Sequence, residues 1–158
     1  MKIQILSRKS IERLAENPFP MNTALVSITD YACDFAKLKN KPAFLLQIDF
    51  DDVDNDVIVD ELGKNPTNEE RQMIEAKYHM LNVEQAHQIA AFYHSVSKNV
   101  ECFICQCEHG QSRSAAIAAA ILEHRSRNGI KIFADDRYYP NKVVFRKVLA
   151  ALNNLKNY

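Results

Sequence analysis

The chain has 158 residues, 47% hydrophobic and 25% charged, which is the size and composition of one ordinary globular domain, so a single domain over residues 1–158 is expected. Twenty Lys and Arg balance twenty Asp and Glu, leaving no excess positive field for general nucleic-acid binding or for holding an anionic membrane. Neither a signal-peptide core nor a run of about twenty apolar residues occurs, and four cysteines at 33, 102, 105 and 107 are too few and too clustered for a disulfide framework, so a cytoplasmic protein with reduced thiols is expected.

Lys2 to Leu6 reads as a short strand, and Ser10 as the cap of a brief helix through Ile11, Leu14 and Ala15 that ends by Asn17-Pro18. Ala24 to Ile28 and Ala43 to Ile48 are β-favouring apolar runs, and the second, nearly continuous, predicts a strand covered on both faces. Between them, Asp34 to Lys41 predicts a short helix and turn. The second run leads into a carboxylate-rich loop with Asp49, Asp51, Asp52, Asp54 and Asp56. Asn55 to Lys64 shows no regular pattern, and Gly63 with Pro66 marks a turn. Thr67 with Glu70 is a capping-box signature for a helix to about His79. Asn82 with Gln85 is another, opening a helix with Val83, Ala86, Ile89, Phe92 and Val96 on one buried face. Glu101 to Gln106 predicts a buried strand. Ser112 to about Arg127 predicts an alanine-rich helix ended by Asn128-Gly129, its small side chains allowing close approach to a sheet. Asn141 to Asn154 is a last helix on Val144, Val148, Leu152 and Leu155. Strands separated by helices predict an α/β class with a central, mostly parallel sheet flanked by helices.

The segment from Cys102 to Ile117 reads as buried strand, short polar loop, then helix. Helix N-terminal amides, unpaired and at the positive end of the dipole, form a ready site for a phosphate-like anion. Gly110 lets the loop curl so that its own amides join them, and the planar fork of Arg113 can clamp two oxygens of the same anion. The loop Glu108, His109, Gly110, Gln111 and Ser112, with Arg113, is therefore the expected phosphate site. Cys107 opens that loop, where amides and Arg113 stabilise a thiolate and make it a nucleophile. Ser114 is placed to hydrogen-bond the sulfur and help it leave.

Cys107, Gly110, Ser112, Arg113 and Ser114 match, in order and spacing, the signature of the cysteine-dependent protein tyrosine phosphatase superfamily, and the chain resembles its dual-specificity-like branch over about Asn82 to Leu152. The Tyr139-Pro140-Asn141 start of the last helix is similar too. The resemblance implies Cys107 as nucleophile, Arg113 as phosphate clamp and Ser114 as the hydroxyl that assists breakdown of a phosphocysteine, with no cofactor and no metal. It also implies a phosphorylated protein or small phosphomonoester as substrate, phosphotyrosine above all. Gln106 stands where the family usually has His. The family also uses an upstream Asp on a loop after a strand as general acid, and Asp52 is the first choice for it, with Asp51 and Asp54 as alternatives and Asp135 and Asp136 as a second candidate loop.

Other readings stand beside this one. A catalytically silent phosphate-binding module uses the same loop without needing the thiol, and a rhodanese-like or arsenate-reductase-like enzyme keeps the cysteine without calling for Ser-Arg-Ser. Cys102, Cys105, Cys107 and His109 also have zinc-ligand chemistry, but Cys102 and Cys105 fall within an apolar strand run, where they serve as small hydrophobes. His109 is expected to be solvated, Cys33 to be a packed thiol, and His79, His87, His94 and His124 to be surface or boundary residues.

Overall fold

Residues 1–155 are described by the computed structural model, and positions 156–158 of the expected domain lie outside the described residues. Strands β1 (Lys2–Ser7), β2 (Thr23–Thr29), β3 (Phe44–Asp49) and β4 (Cys102–Cys107) form one sheet in the order β1-β4-β2-β3, every pairing parallel. Parallel pairing sends all four carboxyl ends to one edge, and the register sets Ser7 opposite Cys107 and Thr29 opposite Asp49. Helices α1 (Arg8–Leu14), α2 (Asn55–Leu62), α3 (Asn68–Lys77), α4 (Val83–Val96), α5 (Arg113–Ser126), α6 (Ile130–Phe133) and α7 (Lys142–Asn154) complete the chain. No helix among the described residues is long and apolar enough to cross a membrane.

The alternation of β4 divides the core. Phe103, Cys105 and Cys107 pack with α4, α5 and α7 on one face, while Ile104 and Cys102 join Ile11, Leu25 and Ala36 on the other. Helix α5 is the centre of the larger layer, with every residue from Arg113 to Ile121 buried. Its run Ala115 to Ala120 carries little bulk, so β4 lies against one side of it and α7 against another.

Both capping boxes form, Thr67 with Glu70 and Asn82 with Gln85. Several expectations are corrected by tertiary partners that no local pattern carries. Ser7, not Ser10, caps α1, its hydroxyl accepting from Ser10 N at 3.1 Å. Residues 34–41 are not helical; Arg8 donates to the Asp34 carbonyl and Asn40 N to the Ala15 carbonyl, so the segment lies along α1 in place of pairing with itself. Asn55–Leu62 is a helix, α2, although only Ile58 of it is buried. Strand β3 does carry core side chains on both faces, Phe44 and Leu46 on one and Leu45 on the other, but it is the sheet edge and stays half-buried; β2 is the fully buried strand. In α4, Val83 is 61% exposed and the buried face is Ala86, Ile89, Ala90, Tyr93 and Val96. Helix α5 ends on Arg127 in the left-handed region, at φ 57°, and Gly129 instead opens α6, where a Cβ would meet the Ala119 carbonyl oxygen at 2.7 Å. Cys33 is exposed.

Asp54 links two distant helices. Its carboxylate caps α2 through Asn55 N at 2.7 Å and accepts from Lys142 N at 3.0 Å and Val143 N at 3.3 Å at the start of α7. Asp54→Ala is expected to cost about 1–2 kcal/mol, read as a lower urea midpoint with unchanged slope.

Candidate active site

The loop from Cys107 to Arg113 leaves the carboxyl end of a central strand and enters a buried helix, so its geometry is set from both sides. Gln106 is fully buried; its Oε1 accepts from Ser27 Oγ at 2.6 Å and its Nε2 donates to the Cys107 carbonyl at 3.0 Å. The amide at this position thus ties the backbone of Cys107 to β2. Gly110 has φ 67°, and a Cβ there would sit 2.7 Å from Ser7 N and 2.8 Å from the Leu6 carbonyl carbon, so the loop presses directly on the end of β1. Arg8 holds the loop from the same side, its Nε donating to Glu108 at 2.6 Å, one guanidinium nitrogen to Thr29 Oγ1 at 2.9 Å, and its N–H to the Glu108 carbonyl at 3.1 Å.

Arg113, the first residue of α5, is 4% exposed. One terminal nitrogen, Nη1, donates to the Phe50 carbonyl at 2.7 Å and to Asp30 Oδ1 at 2.7 Å, and the guanidinium lies over the Phe50 ring, 5.9 Å from its centroid. Its Nε is buried with no hydrogen-bond partner. A buried donor left unpaired is costly, so this edge of the guanidinium is where an acceptor brings the largest gain. Ser112, at the N-cap, makes no capping bond, leaving the first amides of α5 without a side-chain acceptor.

The Ser112 hydroxyl instead donates to Asp52 Oδ1 at 2.8 Å, and the amide of buried Asn141 donates to the same oxygen at 3.0 Å. Asp52 Oδ2 takes no hydrogen bond among the described residues. Asp52, Cys107 and Arg113 line one cavity of about 170 Å³, walled further by Ser112, Gln111, His109 and the exposed ring of Tyr139. That is smaller than the several hundred Å³ of pockets enclosing a whole small ligand, and it suits one phosphoryl group with the rest of a substrate outside. Cys107 Sγ lies 3.0 Å from Ser114 Oγ.

The fold therefore brings Cys107, Ser112, Arg113 and Ser114 together with Asp52, and turns other candidates away. Asp54 is occupied as a cap, and Asp51 accepts from Tyr31 N at 2.8 Å. Asp135 is chelated by Arg137, which holds its carboxyl down at about 2, so it is ionised at neutral pH and has no proton to give. Neither it nor Asp136 lines the cavity. Glu108 lies against Arg8, leaving only its backbone for the loop, and His109 is solvated. Cys102 points to the opposite sheet face from Cys105 and Cys107, which parts it from the other two thiols, and burial pushes the thiols of Cys102 and Cys105 up. Sequence reading did not single out Arg8, Asp30, or Asn141 as a partner of Asp52. Asp30 had one available signal, a carboxylate directly after a strand whose neighbours also end in functional residues.

No protein-family model and no curated protein sequence matches the chain. Among solved structures, a crystal structure of PTPMT1 in complex with PI(5)P is similar at 16% identity, with 99% of this chain and 93% of that one covered and a TM-score of 0.48. A second crystal structure of PTPMT1 is similar at 15% identity, 99% and 92% coverage, and a TM-score of 0.44. Neither likeness carries a residue role or a substrate to this chain.

Gly110→Ala adds left-handed strain to a clash with the backbone of β1, so about 2 kcal/mol or more of stability should be lost, read by denaturant unfolding, and sulfate binding should weaken with it.

Proposed function

We propose that the chain is a cysteine-dependent phosphomonoester hydrolase, a protein-tyrosine phosphatase with dual specificity as the wider variant, working through a phosphocysteine intermediate. The observation that carries this reading is the unpaired, buried Nε of Arg113 beside Cys107 in one cavity at the N-terminus of α5. Nη1 is taken by the Phe50 carbonyl and Asp30, Nε is left as a buried donor for an anion, and the sulfur lines the same cavity. The free thiols and absence of a charge bias are in keeping with a cytoplasmic enzyme.

In the proposed reaction the Cys107 thiolate attacks phosphorus, the bond from phosphorus to the ester oxygen breaks, and Asp52 gives its proton to the leaving oxygen. The loop amides of residues 108–113 and Arg113 hold the three equatorial oxygens as charge spreads over them. Water then attacks the phosphocysteine, Asp52 takes a proton from it, and the sulfur leaves as thiolate with the Ser114 hydroxyl donating to it. Phosphate departs. Gln106, in place of the family's usual His, contributes position: it fixes the Cys107 carbonyl and so the strand end from which the loop starts.

Release of inorganic phosphate from an aryl phosphate tests the reading directly. Cys107→Ser should bring turnover below about one per cent of wild type while sulfate binding persists, because a hydroxyl is a far weaker nucleophile in the same cradle. Turnover above that level would refute the assignment, and binding without turnover in the wild type would leave a phosphate-binding module.

Asp52→Asn separates the acid from the rest of the machinery. It should slow phenyl phosphate, whose leaving group needs a proton, by about a hundredfold or more, and slow a nitrophenyl ester much less. Equal losses on the two esters would remove Asp52 from the acid role.

A further inference from the structure

We propose that a second cavity, of about 540 Å³, is a subsite for a basic side chain of the substrate, so that the enzyme acts on phosphotyrosine within a protein segment carrying Lys or Arg close by. The inference rests on the phosphatase reading and narrows its substrate class.

The second cavity is lined by residues close in sequence to residues that build the first site. Asp30 reaches Arg113, and the next residue, Tyr31, lines the second cavity. Asp52 lines the first and Asp49 the second; three residues apart, their Cα atoms are separated by at most about 11 Å. Asp51, between Asp49 and Asp52, holds two residues of the second cavity, accepting from Tyr31 N at 2.8 Å while its own N–H donates to the His79 carbonyl at 2.9 Å. The Tyr31 ring stacks on His79, centroids 3.7 Å apart and planes at 7°, and Tyr31 stays 50% exposed. An aromatic surface held in this way by one neighbour is a natural platform for a guanidinium or ammonium group.

Charge selects the occupant. Asp49, Glu75 and Glu84 line the cavity, and among the described residues no Lys or Arg does. Glu75 is already paired, with Lys147 at 2.6 Å, but among the described residues neither Asp49 nor Glu84 has a cationic partner. Asp49 spends one oxygen on Ala32 N, which fixes the carboxylate and leaves its charge. Two uncompensated carboxylates beside an aromatic face attract a cation and repel a polyanionic headgroup, which favours a basic peptide over a phosphorylated inositol lipid. The cavity lies in the size range that encloses a long side chain with room for its backbone.

The test uses phosphotyrosine peptides of one base sequence carrying a single Arg or a single Glu at each of the four positions on either side of the phosphorylated residue. At one or two positions kcat/KM should favour Arg over Glu by about tenfold at low salt, and the preference should shrink as salt is raised. In Glu84→Gln and in Tyr31→Ala the Arg-to-Glu ratio at that position should fall to about threefold or less; a ratio cancels any general loss of activity. A ratio near one at every position, a ratio unmoved in both variants, or faster turnover of a phosphorylated inositol lipid in vesicles than of the best Arg peptide overturns the subsite. A nitrophenyl phosphate assay runs alongside: hydrolysis there with no Arg preference defeats the subsite alone, and no hydrolysis defeats the phosphatase reading together with it.

Discussion

Burying a guanidinium at the start of a helix works against two forces at once. Arg113 loses its water, and its positive charge faces the positive end of the α5 dipole, so the position is tolerable only where acceptors are supplied from elsewhere. Asp30 and the Phe50 carbonyl supply them on one nitrogen, and nothing supplies one to Nε. In the proposed reading, an oxyanion placed over the helix N-terminus gives this buried donor a partner, a charge-assisted bond worth about 1–3 kcal/mol.

The order of the sheet makes that arrangement available. Because β4 lies between β1 and β2, the loop that leaves its carboxyl end has a strand end on either side. On one side the end of β1 brings Ser7 against Gly110 and Arg8 against Glu108. On the other, β2 leads into Asp30, and β3 beyond it leads into Phe50 and Asp52 at the same rim. A parallel sheet collects its strand ends on one edge, and an antiparallel neighbour would have carried one of these groups to the far side of the molecule. The alanines of α5 complete the design by letting the first turn of the helix reach the strand end closely, so that Arg113 meets acceptors instead of solvent.

How much of this was legible in the chain follows from how local each cause is. The loop between β4 and α5, the capping boxes at Thr67 and Asn82 and the alanine helix are written in consecutive residues, and each forms where its pattern lies. Asp52 was legible in outline, as a carboxylate after a strand. Helix α2 was not, because its sequence has no clear apolar period and its start is Asp54, a residue whose bonds to Lys142 and Val143 exist only after α7 is in place. The extended course of 34–41 was equally hidden, since its backbone partners are Arg8 and Ala15 and not its own neighbours. Asp30 and Asn141 belong to the same class: each is defined by the residue it reaches, 83 and 89 positions away for Arg113 and Asp52 respectively.

The placement of Asp52 shows how such long-range partners shape chemistry. Ser112 has one hydroxyl and two possible duties. Used as a cap, as Thr67 and Asn82 use theirs, it would fill the first amides of α5, where the proposed function places an anion. Used on Asp52, it leaves those amides open and joins Asn141 in donating to a single carboxylate oxygen. Oδ1 thus carries both donors, and Oδ2, the oxygen without a protein donor among the described residues, is the one left to face a substrate in the proposed reaction. Asn141 meanwhile caps α7 through Val144 N and holds the Val53 carbonyl, which locks the acid loop to the helix. The proton transfer proposed for Asp52 demands placement to within about 1 Å, and two side chains distant in sequence, Ser112 and Asn141, fix that carboxylate only when the sheet edge and α7 have closed around the loop from Cys107 to Ser112.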